Sequence, residues 1–321
     1  MRFRGGIDLG GTKIQAVVLD EGNTVTGQAR AATPKDGGPE GVATEIGRLL
    51  AEAAAAAGVE PSALSGVGIG SPGTIDSAAG TVAHARNVTA GWEEPFPLGP
   101  ALSGALGVPA FLGNDVRVGT TAEYELGAGR PHRSIIGVFW GTGVGSGIIL
   151  EGLPWSGRGA AGEIGHMVVR RGGATCTCGR IGCVEAYAGR AAMEIRARRL
   201  AARGAKTALF QIMEKRGRDR LTSGIWARAL AKGDPLATRL IDRALSALAA
   251  GIASAVNLLD VEAVVIGGGL GTRLGEPYVT EIERRMGPHL FVNERPPAVH
   301  VAALGDLGGA IGAALLVEEN R

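Results

Sequence analysis

The densest potential chemistry in the 321-residue chain lies between Glu163 and Glu185. Glu163-Ile-Gly-His166 is followed, nine residues on, by Cys176-Thr-Cys178-Gly-Arg-Ile-Gly-Cys183-Val-Glu185. All three cysteines of the chain fall in one eight-residue window, with a histidine just upstream. Three thiolates and an imidazole complete a tetrahedral zinc shell. Gly179 and Gly182 permit the tight turns that let neighbouring cysteines converge on one ion. Free buried cysteines, or a disulfide, explain neither the clustering nor the glycines. Four protein ligands leave no open position, so the expected Zn2+ is structural: it shapes the loop that carries Glu163 and Glu185.

Two glycine turns form a second kind of site. Asp8-Leu-Gly10-Gly11-Thr12-Lys13 follows a strand over 3–9, and Gly141-Thr142-Gly143-Val-Gly145-Ser-Gly147 follows a strand over 134–140. Such turns offer backbone N–H groups to phosphate without side-chain obstruction. Their likeness makes a weak internal repeat spaced by ~130 residues, as in two lobes that clamp a nucleotide. Gly267-Gly268-Gly269 adds a strand–turn–helix unit, a common nucleotide platform. Asn114 and Asp115 stand where a strand gives way to a helix, either as a plain N-cap or as groups presented to a ligand. Arg190, Arg196, Arg198, Arg199 and Arg203 make the segment 189–203 basic, the pattern of a solvated helix face.

The elements that must position these residues read as a mixed α/β chain. Strands are expected over 3–9, 14–20 and 24–32, a helix over 40–57 and a strand over 64–70. A turn at Ser71-Pro-Gly73 and a hairpin near 76–80 follow, then a helix over 97–107, a strand over 109–113 and a helix over 114–127. The plan restarts with strands over 134–140 and 148–150 around a glycine turn at 141–147. The segment 184–258 reads as mostly helical. A strand over 261–266, a helix over 272–287, a strand over 298–303 and a helix over 307–317 close the chain. The composition is 45% hydrophobic and 20% charged, enough for a substantial core. A net charge of +2 does not imply nucleic acid as a partner. No secretory signal is read at the start, and the longest apolar stretch, near 244–266, is interrupted by polar residues. A soluble, cytoplasmic protein with no membrane partner is expected.

Together these motifs resemble the ROK family of sugar kinases, in the hexokinase/actin-like superfamily, over nearly the whole chain. The Glu-x-Gly-His and Cys-x-Cys-Gly-x-x-Gly-Cys pair carries the resemblance most specifically, with Ser71-Pro-Gly73, Asn114-Asp115 and the glycine turns in support. The resemblance implies a two-lobed actin-like (ribonuclease H-like) ATPase fold with a duplicated mixed-sheet core and a zinc-binding loop. The smaller lobe would span 1–117 plus about 304–321, and the larger 118–303. It implies transfer of the ATP γ-phosphoryl group to the 6-hydroxyl of glucose, with Mg2+, in a homodimer. Asp115 would be the catalytic base, and Asn114, Asp115, Glu163, His166 and Glu185 the sugar-binding set. Asp8 (near the magnesium), Gly10, Gly11, Thr12 and Lys13 match the first phosphate turn, Gly141, Thr142, Gly143 and Gly145 the second. Gly267, Gly268 and Gly269 match the adenosine segment, and His166, Cys176, Cys178 and Cys183 the zinc ligands. Val116 departs from the family's usual Ala. Mannose, fructose or an N-acetylhexosamine remains open as acceptor, and polyphosphate as donor. A sugar-responsive ROK regulator fits poorly, because the phosphate strand starts too early for a helix-turn-helix to precede it.

Overall fold

Strand alternation and glycine turns at the N-terminus produce an antiparallel meander. β1 (Phe3–Leu9), β2 (Lys13–Leu19) and β3 (Val25–Ala32) are followed by α1 (Gly38–Ala56) and β4 (Leu64–Ser71). A small hairpin of β5 (Thr74–Asp76) and β6 (Thr81–Ala83) comes next, then α2 (Leu98–Leu106), β7 (Ala110–Asn114) and α3 (Asp115–Glu125). This computed structural model describes residues 2–85 and 88–319. The first sheet has the order β3-β2-β1-β4-β7, with β1, β4 and β7 mutually parallel and the meander antiparallel. α1 buries Val42, Ile46, Leu49, Leu50 and Ala53, the i, i+4, i+7, i+8, i+11 stripe of an amphipathic helix, against β2 and β3.

The plan then repeats. β8 (Ile135–Trp140), β9 (Val144–Leu150) and β10 (Leu153–Pro154) form a second meander. Helices α4 (Glu185–Ala188), α5 (Arg190–Ala201), α6 (Leu209–Lys215), α7 (Ser223–Ala231) and α8 (Pro235–Leu259) lead to β11 (Ala263–Gly267). α9 (Gly268–Leu274), α10 (Glu276–Met286) and β12 (Ala298–Val301) follow. The second sheet runs β10-β9-β8-β11-β12, with the same sequence of antiparallel and parallel pairings as the first. The weak repeat seen in the residues is thus a repeat of topology. α11 (Gly308–Glu319) ends the chain on the first sheet. Gly6 and Gly68 let it lie directly on β1 and β4: a Cβ on either would strike the backbone carbonyls of Ala310 and Ala313.

The chain divides into two compact units, Met1–Gly127 with Ala303–Arg321, and Ala128–Ala302. The first unit runs past residue 117 because α3 packs on α11. The buried Glu123 carboxylate of α3 accepts the backbone N–H groups of Ala303 (2.9 Å) and Leu304 (2.8 Å), which pins the returning chain.

Two expectations need correction. The glycine segment 141–147 is mostly strand: β9 starts at Val144, which pairs with Trp140, so only Gly141–Gly143 turn. The helix expected over 272–287 begins at Gly268 and breaks at Gly275 into α9 and α10. Among the described residues one helix, α8, is long and apolar enough by length and composition to cross a membrane, nearer the chain start than the stretch read from sequence; 67% of its apolar window is buried inside the second unit.

Candidate active site

Parallel strands gather their C-terminal ends at one edge of a sheet, where α/β folds bind ligands. In the first unit that edge brings Asp8 beside Gly70, and Ser71 beside Asn114, through the pairings of β1, β4 and β7. Asn114 caps α3, its side-chain oxygen accepting the N–H groups of Val116 (3.2 Å) and Arg117 (3.3 Å). Asp115 Oδ1 accepts the Val116 N–H at 2.9 Å. With the Asn114 oxygen used by the cap, its amide NH2 remains as a donor to a ligand. Asn114 thus caps the helix while it ends β7 at the strand edge. Val116 is half-buried in the first turn of α3.

Asp8 lies at the start of the first glycine turn. A Cβ on Gly309 would come within 2.8 Å of its carboxyl carbon, so the first turn of α11 covers it. Burial pushes the Asp8 carboxyl up to about 6, against the pull of the Lys13 ammonium and with the help of Asp306. Lys13 Nζ donates to Gln15 Oε1 at 2.9 Å and pairs with Asp306 at 3.4 Å. The turn itself closes through the Gly10 N–H to the Lys13 carbonyl, and Thr33 Oγ1 donates to the Gly10 carbonyl at 2.6 Å.

In the second unit the corresponding edge holds Gly141–Gly143 after β8 and Gly267–Gly269 where β11 ends and α9 begins. The two are in contact: a Cβ on Gly141 would be 3.8 Å from the Gly269 nitrogen. Gly268 has φ +80°, and any side chain there would meet the Trp140 backbone. Its glycine therefore serves the junction between β8 and α9.

The Cys/His segment forms a knuckle. Gly179 (φ +85°) and Gly182 (φ +89°) turn the chain, with Cys176 N–H to the Arg180 carbonyl at 2.8 Å and Gly179 N–H to the Cys176 carbonyl at 3.0 Å. His166, at the end of a 3₁₀ turn (Ile164–His166), presents Nδ1 3.7 Å from Cys176 Sγ. Cys178 and Cys183 Sγ are 3.8 Å apart, and all four donor atoms lie within 4.8 Å of one another. The edges of a tetrahedral zinc shell with Zn–S bonds of about 2.3 Å are roughly 3.5–3.8 Å, so the donor set fits that ion in type, number and spacing. Burial pushes the Cys183 thiol up to about 12 and raises Cys176, while the Arg180 backbone N–H draws Cys178 down to about 6. Thiolates at the two buried positions call for a cation beside them. The other ring nitrogen of His166, Nε2, is 3.9 Å from Glu163.

Glu185 ties this knuckle to the glycine turn. Its Oε2 accepts the Val144 N–H at 2.9 Å, and its Oε1 accepts the Thr177 hydroxyl at 3.2 Å. A side chain on Gly143 would occupy the Glu185 carboxylate's place. The structure thus brings Glu163, His166, the cysteines, Glu185 and Gly141–Gly143 into one cluster within the second unit.

Sequence reasoning missed Arg190. Read as part of a solvated face, it is half-buried, and its guanidinium donates to Thr142 Oγ1 at 2.7 Å and to the Leu221 carbonyl at 2.9 Å. The signal available was its place directly after Gly189 at the start of α5, five residues past Glu185. Arg196, Arg199 and Arg203 match the expectation better: they are exposed, and Arg196 is held below the usual guanidinium range by partial burial and by the charges of Arg243, Arg199, Arg203 and Arg239.

Comparison with known proteins sets this geometry in context. The ROK family model matches residues 4–320. A glucokinase of Halalkalibacterium halodurans is 31% identical over 100% of this chain and 96% of its own. An N-acetylmannosamine kinase of Haemophilus influenzae is 30% identical over 98% of this chain and 94% of its own. The crystal structure of a ROK family glucokinase from Streptomyces griseus, in complex with glucose and AMPPNP, superposes with a TM-score of 0.84 at 33% identity, covering 99% of both chains. With its two-sheet α/β fold of the actin-like kind, and a family match running almost end to end, the chain belongs to the ROK family.

Proposed function

We propose that this protein is an ATP-dependent hexose kinase that transfers the γ-phosphoryl group of ATP to the 6-hydroxyl of glucose. The observation that carries the reading is the double role of Glu185, whose carboxylate joins the Gly141–Gly143 turn to the Cys/His knuckle. A phosphate turn and a polar, sugar-sized set of side chains are thereby one construction. The full-length similarity to glucokinases, one of them solved with glucose and AMPPNP, supports the same choice.

In this reading Asp115 accepts the proton of the attacking hydroxyl, and the Asn114 amide donates to the sugar. Glu163 and Glu185 accept hydrogen bonds from sugar hydroxyls. His166 would hold Zn2+ through Nδ1, and its Nε2–H, next to Glu163, would then be left to face the sugar, with its tautomer set by the metal. Gly10, Gly11, Thr12 and Lys13 hold phosphate at the first turn, where Asp8 would help hold a Mg2+ ion that neutralises phosphate charge. Gly141, Thr142, Gly143 and Gly145 hold it at the second. Gly267–Gly269 give the adenosine a bare backbone surface. His166, Cys176, Cys178 and Cys183 hold one structural zinc ion, which would supply rigidity and no Lewis-acid step. A homodimer and a cytoplasmic location complete the proposal.

A second acceptor has specific support, since an N-acetylmannosamine kinase is 30% identical to this chain, the same as the Thermotoga maritima glucokinase. The test is a coupled ADP-release assay over glucose, mannose, fructose and N-acetylated hexosamines, repeated with polyphosphate as donor. Glucose with ATP should give the highest kcat/KM. A higher value for an amino sugar or for polyphosphate reassigns acceptor or donor, and no turnover with any sugar removes the kinase reading.

A further inference from the structure

Arg190 is the half-buried member of the basic segment, and it bonds the second glycine turn through both its backbone and its side chain. Its backbone N–H donates to the Gly141 carbonyl at 3.1 Å, and the next N–H, of Ala191, to the Thr142 carbonyl at 3.0 Å. Its side chain reaches the same turn from another direction, donating to Thr142 Oγ1 at 2.7 Å. The guanidinium is held in turn. It also donates to the Leu221 carbonyl at 2.9 Å, while the Leu221 N–H is fixed by the buried Glu194 carboxylate at 2.9 Å. Glu194 also takes Arg198 at 2.7 Å and Arg220 at 3.1 Å. A chain of contacts thus runs from a buried carboxylate to residue 221, to Arg190, to the hydroxyl of an exposed threonine.

Hydrogen-bond polarity gives this chain a direction. A guanidinium has donors and no acceptor, so the Thr142 oxygen must accept from Arg190. The Thr142 hydroxyl hydrogen is then committed away from Arg190 and is left to donate to a ligand. Beside it stands a delocalised, permanently charged cation held by carbonyl and hydroxyl oxygens, with no carboxylate directly bonded to it in the contacts found among the described residues. Backbone N–H groups, an oriented hydroxyl and a fixed cation converging on one turn are the recognition set for a phosphate oxygen.

We infer that Arg190 is the positioning residue of the donor-phosphate turn: it fixes the Thr142 hydroxyl as a donor to the nucleotide phosphates and places positive charge behind it. The inference rests on the kinase reading above and deepens it, because it assigns to this side chain the polyphosphate tail of the nucleotide rather than the base or the sugar acceptor.

The experiment measures binding of AMPPNP and of adenosine by calorimetry, and KM for ATP and for glucose, in wild type, Arg190→Gln, Arg190→Lys, Thr142→Val and the Arg190→Gln/Thr142→Val double variant. Glucose affinity and zinc content of each variant report whether it has folded. Arg190→Gln should weaken AMPPNP binding and raise KM for ATP by roughly tenfold to a hundredfold, the scale of a hydrogen bond to a charged group. Adenosine and glucose binding should stay as in wild type. Arg190→Lys keeps the charge without the fork and should recover part of the loss. Because both residues act as one unit, the double variant should be no worse than the weaker single variant. Unchanged AMPPNP binding in Arg190→Gln, or losses that simply multiply in the double variant, overturns the inference. Equal losses for adenosine and AMPPNP overturn it too, since they mark a general collapse of the nucleotide site. A wild type that binds AMPPNP but phosphorylates no sugar overturns the kinase reading alone, and the Arg190 comparison can still be read from binding.

Discussion

Asp115 and Asp8 are carboxylates near the C-terminal ends of β7 and β1, and their surroundings differ. Asp115 begins α3, with its Oδ1 accepting the Val116 N–H at 2.9 Å. Asp115→Asn should lower kcat by about 10²–10⁴-fold, the usual range for loss of a base, while glucose binding by calorimetry stays close to wild type. Near wild-type turnover in that variant removes Asp115 from the role. Asp8 sits under the first turn of α11, where its carboxyl titrates near 6 instead of 3.8. The folded state therefore binds its proton more tightly than the unfolded chain does. Its contribution to stability falls as pH rises from about 4 to about 6, and the penalty is complete above that. For a half-buried group the penalty is on the order of 1–2 kcal/mol. Asp8→Asn should thus raise the melting temperature at pH 7 and not at pH 3.5, while phosphoryl transfer is lost. Thermal melts at the two pH values check the sign. Destabilisation at pH 7 would contradict it.

At the scale of elements, the Cys/His knuckle and the glycine turn stand or fall together through Glu185 and Thr177. Protein prepared in metal-free buffer should retain close to one zinc per chain by elemental analysis. Cys178→Ser should lower both the melting temperature and glucose affinity, because the loop that loses its ligand carries Glu163 and Glu185. A fully active wild type without zinc would remove the metal from the account. Helix α11 makes a second demand on its neighbours. Gly68 faces the Ala313 carbonyl with no room for a side chain. Gly68→Ala should cost at least the 1–3 kcal/mol (about) of an overpacked core, and denaturant melts should show it. Gly47, half-buried in α1 but with open space where a Cβ would go, is the control: Gly47→Ala should be neutral or stabilising.

At the scale of the whole molecule, the first unit is assembled from both ends of the chain. Removing residues 303–321 takes away α11 and the buried Ala310, Ile311, Ala313, Ala314 and Leu315. Hydrogen exchange should then show protection lost in β1 and β4 and kept in β8 and β11, whose core lies within the second unit. Retained protection in β1 and β4 would show that the sheet needs no such cover. The sequence by itself determined what depends on neighbours in the chain. The cysteine spacing makes the knuckle because its turns close within a few residues, and the stripe of α1 and the cap at Asn114 are equally local. Only the tertiary structure decided what depends on distant partners. The true start of β9 follows from its pairing with β8. Glu185 finds Val144 41 residues away, Arg190 finds Thr142 48 away, and Glu123 grips a backbone 180 residues further on. Residue type announces a charge that needs a partner, but across such separations only the folded backbone chooses which one.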